Sequence, residues 1–390
     1  MNIQDVRYDT PACEKNLFLN SAGSSLPPTI VNKTIYEYLR SEEEVGGYKL
    51  MEIKAVDING FYSSSAKLIG ASPRNMAFAN SATDAYGKAL TSIPFVEGDV
   101  IITTDDDYIS NFIQFDQLTK RFGIGLKRIQ NLENGDLDLD HLIALIEEKR
   151  PKLVAITHIP TNSGLIQDAE SVGAICKRYD ILYLLDACQS VGQLEVDVKK
   201  IGCDFLSVTG RKFMRAPRGT GFLYASDRVL ELGYAPLVMD SFGASWEAPM
   251  RFELKDDAKR FELWEKSEAL KLGMKAAIDY AIDVGLGNIA HYNTTLRNHL
   301  LERIRQLSGV YTLDKGTNKA NIVTVKKEGV DLNRFQAILD KNDVLYSVTK
   351  RQNALIDFDK KGIDWAIRLS PHYFNTIAEI DRLADILEEV

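Results

Sequence analysis

Two residues of this sequence stand where chemistry is commonly done, each just past a short apolar run. Asp186 follows Ile181-Leu182-Tyr183-Leu184-Leu185, and Lys212, 26 positions later, follows Phe205-Leu206-Ser207-Val208 through Thr209-Gly210-Arg211. Ligands of open α/β sheets sit beyond the carboxyl ends of the strands, so both side chains are expected at one mouth. Taken singly, Asp186 reads equally as a helix cap and Lys212 as a surface lysine in a turn. A third group changes that balance. Asn80-Ser81-Ala82-Thr83-Asp84 follows a strand-like Met76-Ala77-Phe78-Ala79 and opens a helical stretch, so the amides of Ala82 and Thr83 and the Thr83 hydroxyl are candidates to face an anion. Thr209 and Arg211 flank the lysine with a hydroxyl and a fixed positive charge. Pyridoxal phosphate asks for this set: a lysine for the Schiff base, a carboxylate against the pyridine nitrogen, and donors around a phosphate dianion. Lys212 is the expected attachment point and, once displaced by a substrate amine, the expected base at the α-carbon.

The elements that must position these residues are legible in the pattern around them. Short apolar runs alternate with amphipathic segments through the middle of the chain, the mark of a parallel sheet covered by helices. Strands are expected at Val100–Thr103, Gly125–Ile129, Lys152–Ile156, Ile181–Leu185, Phe205–Val208 and Gly221–Ala225. Helices are expected at Asp107–Arg121, Asp140–Glu148 and Ala169–Tyr179. An N-terminal helix over Thr29–Glu44 ends at Gly46-Gly47, and long helical periodicity covers Phe261–Val284 and Asn288–Leu307. Strand-like Ile322–Val325, Val344–Val348 and Trp365–Leu369, with helices at Leu332–Leu339 and from Ile377, predict a smaller α+β unit. The expected organisation is an arm over 1–25, a large domain over 26–275 and a small domain over 276–390.

Composition narrows the partners. With 390 residues, 45% of them hydrophobic, and a net charge of −8, the chain is an ordinary globular one with no basic patch for nucleic acid or an anionic membrane. The start Met1-Asn2-Ile3-Gln4-Asp5 has neither a basic leader nor an apolar core, so a cytoplasmic location is expected. Four scattered cysteines and five histidines show no metal-ligand spacing, and no metal is expected.

The runs Asp186-Ala187-Cys188-Gln189-Ser190-Val191-Gly192, Ser207-Val208-Thr209-Gly210-Arg211-Lys212-Phe213 and Ala216-Pro217-Arg218-Gly219-Thr220-Gly221 together resemble the class V aminotransferases of PLP fold type I. That family includes cysteine desulfurases, isopenicillin N epimerase-like proteins and carbon–sulfur lyases of the ergothioneine pathway. The resemblance implies an α/β fold with a mostly parallel, seven-stranded type of sheet flanked by helices. It implies Asp186 at the pyridine nitrogen, Gln189 at the ring hydroxyl, pyridoxal 5'-phosphate covalent on Lys212, and Ala82, Thr83, Thr209 and Arg211 around the phosphate. Tyr108 falls where the family places a ring-stacking side chain, although core packing explains it as well. Thr161 and Asn162, in His158-Ile159-Pro160-Thr161-Asn162, fall on the loop that passes near ring and substrate. Arg368 matches the arginine that grips the substrate carboxylate. Arg260-Phe261-Glu262-Leu263-Trp264-Glu265 resembles a segment reaching the partner subunit's cofactor, which implies a homodimer.

The reaction is less determined. The family's desulfurases carry a catalytic cysteine a dozen or more residues before the carboxylate-binding arginine, and Lys341 through Arg368 contains none. The Thr-Gly-Arg-Lys and Arg-Phe-Glu-Leu-Trp-Glu patterns resemble the lyase branch. The expectation is carbon–sulfur β-elimination on an amino acid, with transamination or epimerisation as alternatives, persulfide-forming desulfuration behind them, and a non-catalytic PLP-binding protein last.

Overall fold

Apolar runs short enough for strands and buried on both faces demand helices above and below, and the chain supplies them. The computed structural model describes residues 1–390. Its central sheet comprises β1 (Met76–Ala79), β2 (Val100–Thr104), β3 (Gly125–Ile129), β4 (Leu153–Thr157), β5 (Leu182–Asp186), β6 (Phe205–Thr209) and β7 (Gly221–Ala225). Their spatial order is β1-β7-β6-β5-β4-β2-β3. Strands β2 to β6 pair in parallel, while β7 runs antiparallel between β1 and β6. Every residue of β4, β5 and β6 is buried. Alternation sends Val154, Ile156, Tyr183, Leu185, Leu206 and Val208 into a core of 43 residues, and Leu153, Ala155, Leu182, Leu184 and Phe205 into one of 23 on the opposite face.

The helices that cover these faces include α1 (Thr29–Val45), α2 (Ala55–Ile69), α3 (Ala82–Ser92), α4 (Ile109–Phe122), α5 (Leu139–Lys149), α6 (Ala169–Arg178), α7 (Glu268–Val284) and α8 (Leu286–Gln306). Helix α2 has no counterpart in the sequence reading; Asn59, Gly60, Ser63, Ser64 and Ser65 dilute its apolar stripe, yet Phe61, Tyr62, Leu68 and Ile69 are buried. Helix α7 starts seven residues later than Phe261. Ser267 caps it by accepting from the Leu270 amide, and Glu262 is drawn into the interior, where it accepts from the Phe78 amide at 2.9 Å and pairs with Lys266 at 2.6 Å. The expected strand Val344–Val348 divides at Tyr346: Val344–Leu345 pairs with Leu17–Phe18, and Ser347–Lys350 joins another sheet.

That sheet contains β8 (Val310–Thr312), β9 (Val323–Lys327), β10 (Ser347–Lys350) and β11 (Trp365–Leu369) in antiparallel order β8-β9-β11-β10. Its core of 18 residues includes Leu296, Leu300 and Ile304 of α8, whereas Met274, Ala277, Ile278, Ala281 and Ile289 belong to the large core. Allegiance thus changes within α8, between Ile289 and Leu296. The two units are pinned together by Lys315, which lies 3.0 Å from both Asp106 and Asp357; Asp357 also takes Lys361 at 2.8 Å. No helix is long and apolar enough to cross a membrane.

Candidate active site

A cavity of about 270 Å³ opens at the carboxyl ends of the parallel strands. Five strand ends contribute to its wall: Asn80 to Thr83 after β1, Tyr108 and Asn111 after β2, Thr157, Ile159 and Thr161 at the end of β4, Asp186, Cys188 and Gln189 at the end of β5, and Thr209, Arg211 and Lys212 at the end of β6. Because β7 is antiparallel, its preceding residues Arg218, Gly219 and Thr220 arrive at the same mouth. Two glycines make the close approaches possible. A Cβ on Gly192, whose φ is +96°, would lie 2.5 Å from backbone atoms of Phe213 and Met214, beside the Lys212 turn. One on Gly221 would meet the Val208 oxygen at 2.4 Å and Ser81 at 3.0 Å, pushing β7 off the start of α3.

Lys212 is buried, and its Nζ lies 5.8 Å from the centre of the Tyr108 ring. Burial lowers its pKa from the usual lysine range, and the neighbouring Arg211 and Arg368 push the same way, against the pull of Asp186. More of its amine is therefore neutral and nucleophilic than on an exposed lysine. Asp186 accepts from the Cys188 amide at 2.9 Å through Oδ1 and from Asn111 Nδ2 at 3.2 Å through Oδ2. Helix α3 begins at the wall, with Ser81 as its cap, so the amides of Ala82 and Thr83 are free for an anion. Thr209 and Arg211 border the same cavity, and the Arg211 guanidinium also donates to the Gly23 carbonyl.

Thr161 links the remaining candidates. Its hydroxyl accepts from Arg368 at 2.7 Å and from Gln189 Nε2 at 3.1 Å, and its carbonyl accepts from Arg368 at 3.1 Å. Arg368 also donates to Ser347 at 3.1 Å and keeps a buried Nε without a partner. Burial and the proximity of Arg211 lower its pKa to about 10. Gln189 spends both amide protons on Thr161 and Ala22, leaving its buried Oε1 unpartnered. A pyridoxal phosphate suits this donor set: one amine, one carboxylate, orphaned buried polar atoms on Gln189 and Arg368, and an excess of cations around a helix start.

One site candidate lies apart from the cavity. Asn162 turns away from the cavity; its amide donates to Asp357 at 2.7 Å, because the buried carboxylate between Lys315 and Lys361 has a further lone pair to satisfy. It ties this loop to the small domain. Of the segment from Arg260 to Glu265, Trp264 is half exposed, whereas the Arg260 side chain is internal. It is buried and donates to the carbonyls of Lys255, Leu230 and Tyr234. Conversely, Asn111, Thr157, Cys188 and Arg218 line the cavity without having been singled out as site residues. The i, i+4 spacing of Asp107 and Asn111 was the available signal for one of them.

The family model of class-V aminotransferases matches residues 17–383. The chain is 27% identical over 396 residues to a probable cysteine desulfurase of Methanothermobacter thermautotrophicus, covering 100% of this chain and 98% of that protein. It is 29% identical over 392 residues to one of Synechocystis, covering 95% and 89%. Among solved structures, apo cysteine desulfurase from Thermococcus onnurineus NA1 superposes with a TM-score of 0.92 at 26% identity, covering 100% of this chain and 98% of that one. These likenesses do not support placing desulfuration behind the other reactions.

Proposed function

Because the chain belongs to the class V aminotransferase family, a family of PLP-dependent enzymes, we propose that it cleaves the Cβ–S bond of cysteine or a cysteine derivative. The observation that carries this reading is the buried lysine facing Asp186 across a cationic cavity, in a chain similar along its whole length to proteins named cysteine desulfurases. When bound, the cofactor supplies an electron sink for the negative charge left at the substrate α-carbon. The residues do the rest. Ala82, Thr83, Thr209 and Arg211 would hold the phosphate, and the Asp186 carboxylate would keep the ring nitrogen protonated. Gln189 would hydrogen-bond the ring hydroxyl, and Tyr108 would pack on the ring. Arg368, steadied by Thr161 and Ser347, would grip the substrate carboxylate and so hold the α-carbon in one orientation for bond cleavage. Lys212 takes the α-proton, and burial keeps water from competing for it.

The fate of the sulfur depends on a thiol. Cys188 is the cysteine on the cavity wall; burial and the Asp186 carboxylate push its thiol well above the usual range, which disfavours the nucleophilic thiolate. That favours departure of the sulfur as free sulfide or thiol, the remaining three-carbon fragment being hydrolysed to pyruvate and ammonia. Desulfuration, which leaves alanine and a persulfide on the protein, is favoured by the relatives' names. Incubating the holo-protein with L-cysteine and L-cystine and assaying both products decides: pyruvate supports elimination, alanine supports desulfuration, and neither contradicts cleavage at sulfur. A keto acid formed with stoichiometric pyridoxamine phosphate would indicate transamination, and solvent deuterium at Cα without consumption would indicate epimerisation.

A homodimer and a cytoplasmic location belong to the same reading. Supporting the first are exposed apolar side chains on α1 and on a hairpin of Ala244–Ala248 and Arg251–Leu254: Tyr36 and Leu39 on the helix, Trp246, Met250 and Phe252 on the hairpin. Supporting the second are four unpaired cysteines, all buried.

A further inference from the structure

Behind Asp186 lies a second fully enclosed carboxylate, and one side chain joins the two. Asp107 accepts from the Tyr108 amide at 2.7 Å, from Thr157 Oγ1 at 2.5 Å, from Asn111 Nδ2 at 2.8 Å and from the Thr103 hydroxyl. Asn111 Nδ2 also donates to Asp186 Oδ2 at 3.2 Å. Its two amide protons thus serve two carboxylates on two different strand ends. The reverse orientation of the amide is excluded by chemistry, since it would aim the Asn111 oxygen at both anions. A role confined to starting α4 accounts for the contact with Asp107, four residues earlier; it does not account for the contact with Asp186 on β5 or for the place of Asn111 on the cavity wall.

We propose that Asn111 is a positioning residue for the bound cofactor, orienting Asp186 toward the ring nitrogen and coupling it to the charge of Asp107. The proposal rests on the PLP reading of the cavity. Asp186 Oδ1 is held by the Cys188 amide and Oδ2 by Asn111, so neither oxygen is free to rotate out of the wall. Asp107 in turn is held by donors from β2, β4 and α4, which ties the orientation of Asp186 to the loop carrying Tyr108. In a low-dielectric interior the negative charge of Asp107 adds to that of Asp186 at the ring, and both favour a protonated pyridine nitrogen. The logic is that of outer groups which orient the groups touching a cofactor.

The test reads the nitrogen itself. Wild type, Asn111→Ala and Asp107→Asn are loaded with pyridoxal phosphate labelled with ¹⁵N in the ring, and the resonance is recorded without substrate. Asp107→Asn keeps the size and the acceptor while removing the charge, so the result does not depend on Asn111→Ala alone being folded. The expected outcome is a displacement of the resonance toward the unprotonated position in both variants. A fall in kcat between about ten- and a hundredfold, the worth of one hydrogen bond to a charged group, accompanies it, with KM little changed because Arg368 is untouched. A wild-type resonance at the protonated position that stays in place in both folded variants overturns the proposal. Failure of the wild type to bind the labelled cofactor overturns the PLP reading instead.

Discussion

Burial acts on His158 as it acts on Lys212, by disfavouring the charged form. His158 sits between the ends of β4 and the Thr161 loop with an unpartnered Nδ1, and burial lowers its pKa to about 4, against a weak opposing pull from Asp168. Its folded pKa lies below the unfolded value near 6.5, so on acidification the unfolded chain takes up this proton first. The stability it contributes is complete above pH 6.5 and is lost as the pH falls toward 4. Wild type should therefore lose about 3 kcal/mol more than His158→Gln between those limits, measured by urea unfolding at each pH; parallel curves would show that His158 is hydrated in the folded state. Lys212 and Asp186 were legible at this scale because apolar strand runs point at them. The contact of Asn162 was not legible because nothing in its neighbourhood in sequence announces Asp357, 195 residues away, as its partner.

At the scale of the element, the site is a set of turns that pack backbone on backbone. The segment from Asp186 to Gly192 was readable as a motif, but the reason it ends in glycine lies in the Lys212 turn, whose Phe213 and Met214 leave no room for a Cβ. Gly192→Ala should cost about 1–3 kcal/mol from its positive φ alone, and more if the turn cannot retreat. Cofactor affinity should fall with it, because the displaced residues neighbour Lys212. Equilibrium dialysis of pyridoxal phosphate against the folded variant checks this, and unchanged affinity would show that the turn tolerates the shift. Most strands of the central sheet were legible to within a residue or two because both faces are apolar. Helix α2 and the start of α7 were not: one has a stripe diluted by serines, and the other begins only where Ser267 caps it.

For the whole molecule, the Lys315 cluster and the Thr161 loop join the two cores near the cavity. Asn162 on that loop holds Asp357 of the small unit, while Thr161 beside it holds Arg368. Loop, Arg368 and domain contact are therefore one mechanical unit, assembled from residues spread over 200 positions that no local pattern connects. The exposed hairpin aromatics belong to this scale as well. If a second copy covers them, sedimentation equilibrium should give twice the 43.7 kDa of one chain, and Trp246→Ser with Phe252→Ser should shift the mass toward the single chain. A single-chain mass for wild type at micromolar concentration would contradict the dimer.

Everything proposed for the site depends on one covalent attachment. Borohydride reduction of the holo-protein, followed by proteolysis and mass spectrometry, should find the reduced pyridoxyl group on the peptide bearing Lys212 and lose it in Lys212→Ala. A label on another lysine, such as the buried Lys271, or labelling that persists unchanged in Lys212→Ala, would contradict the account at its centre.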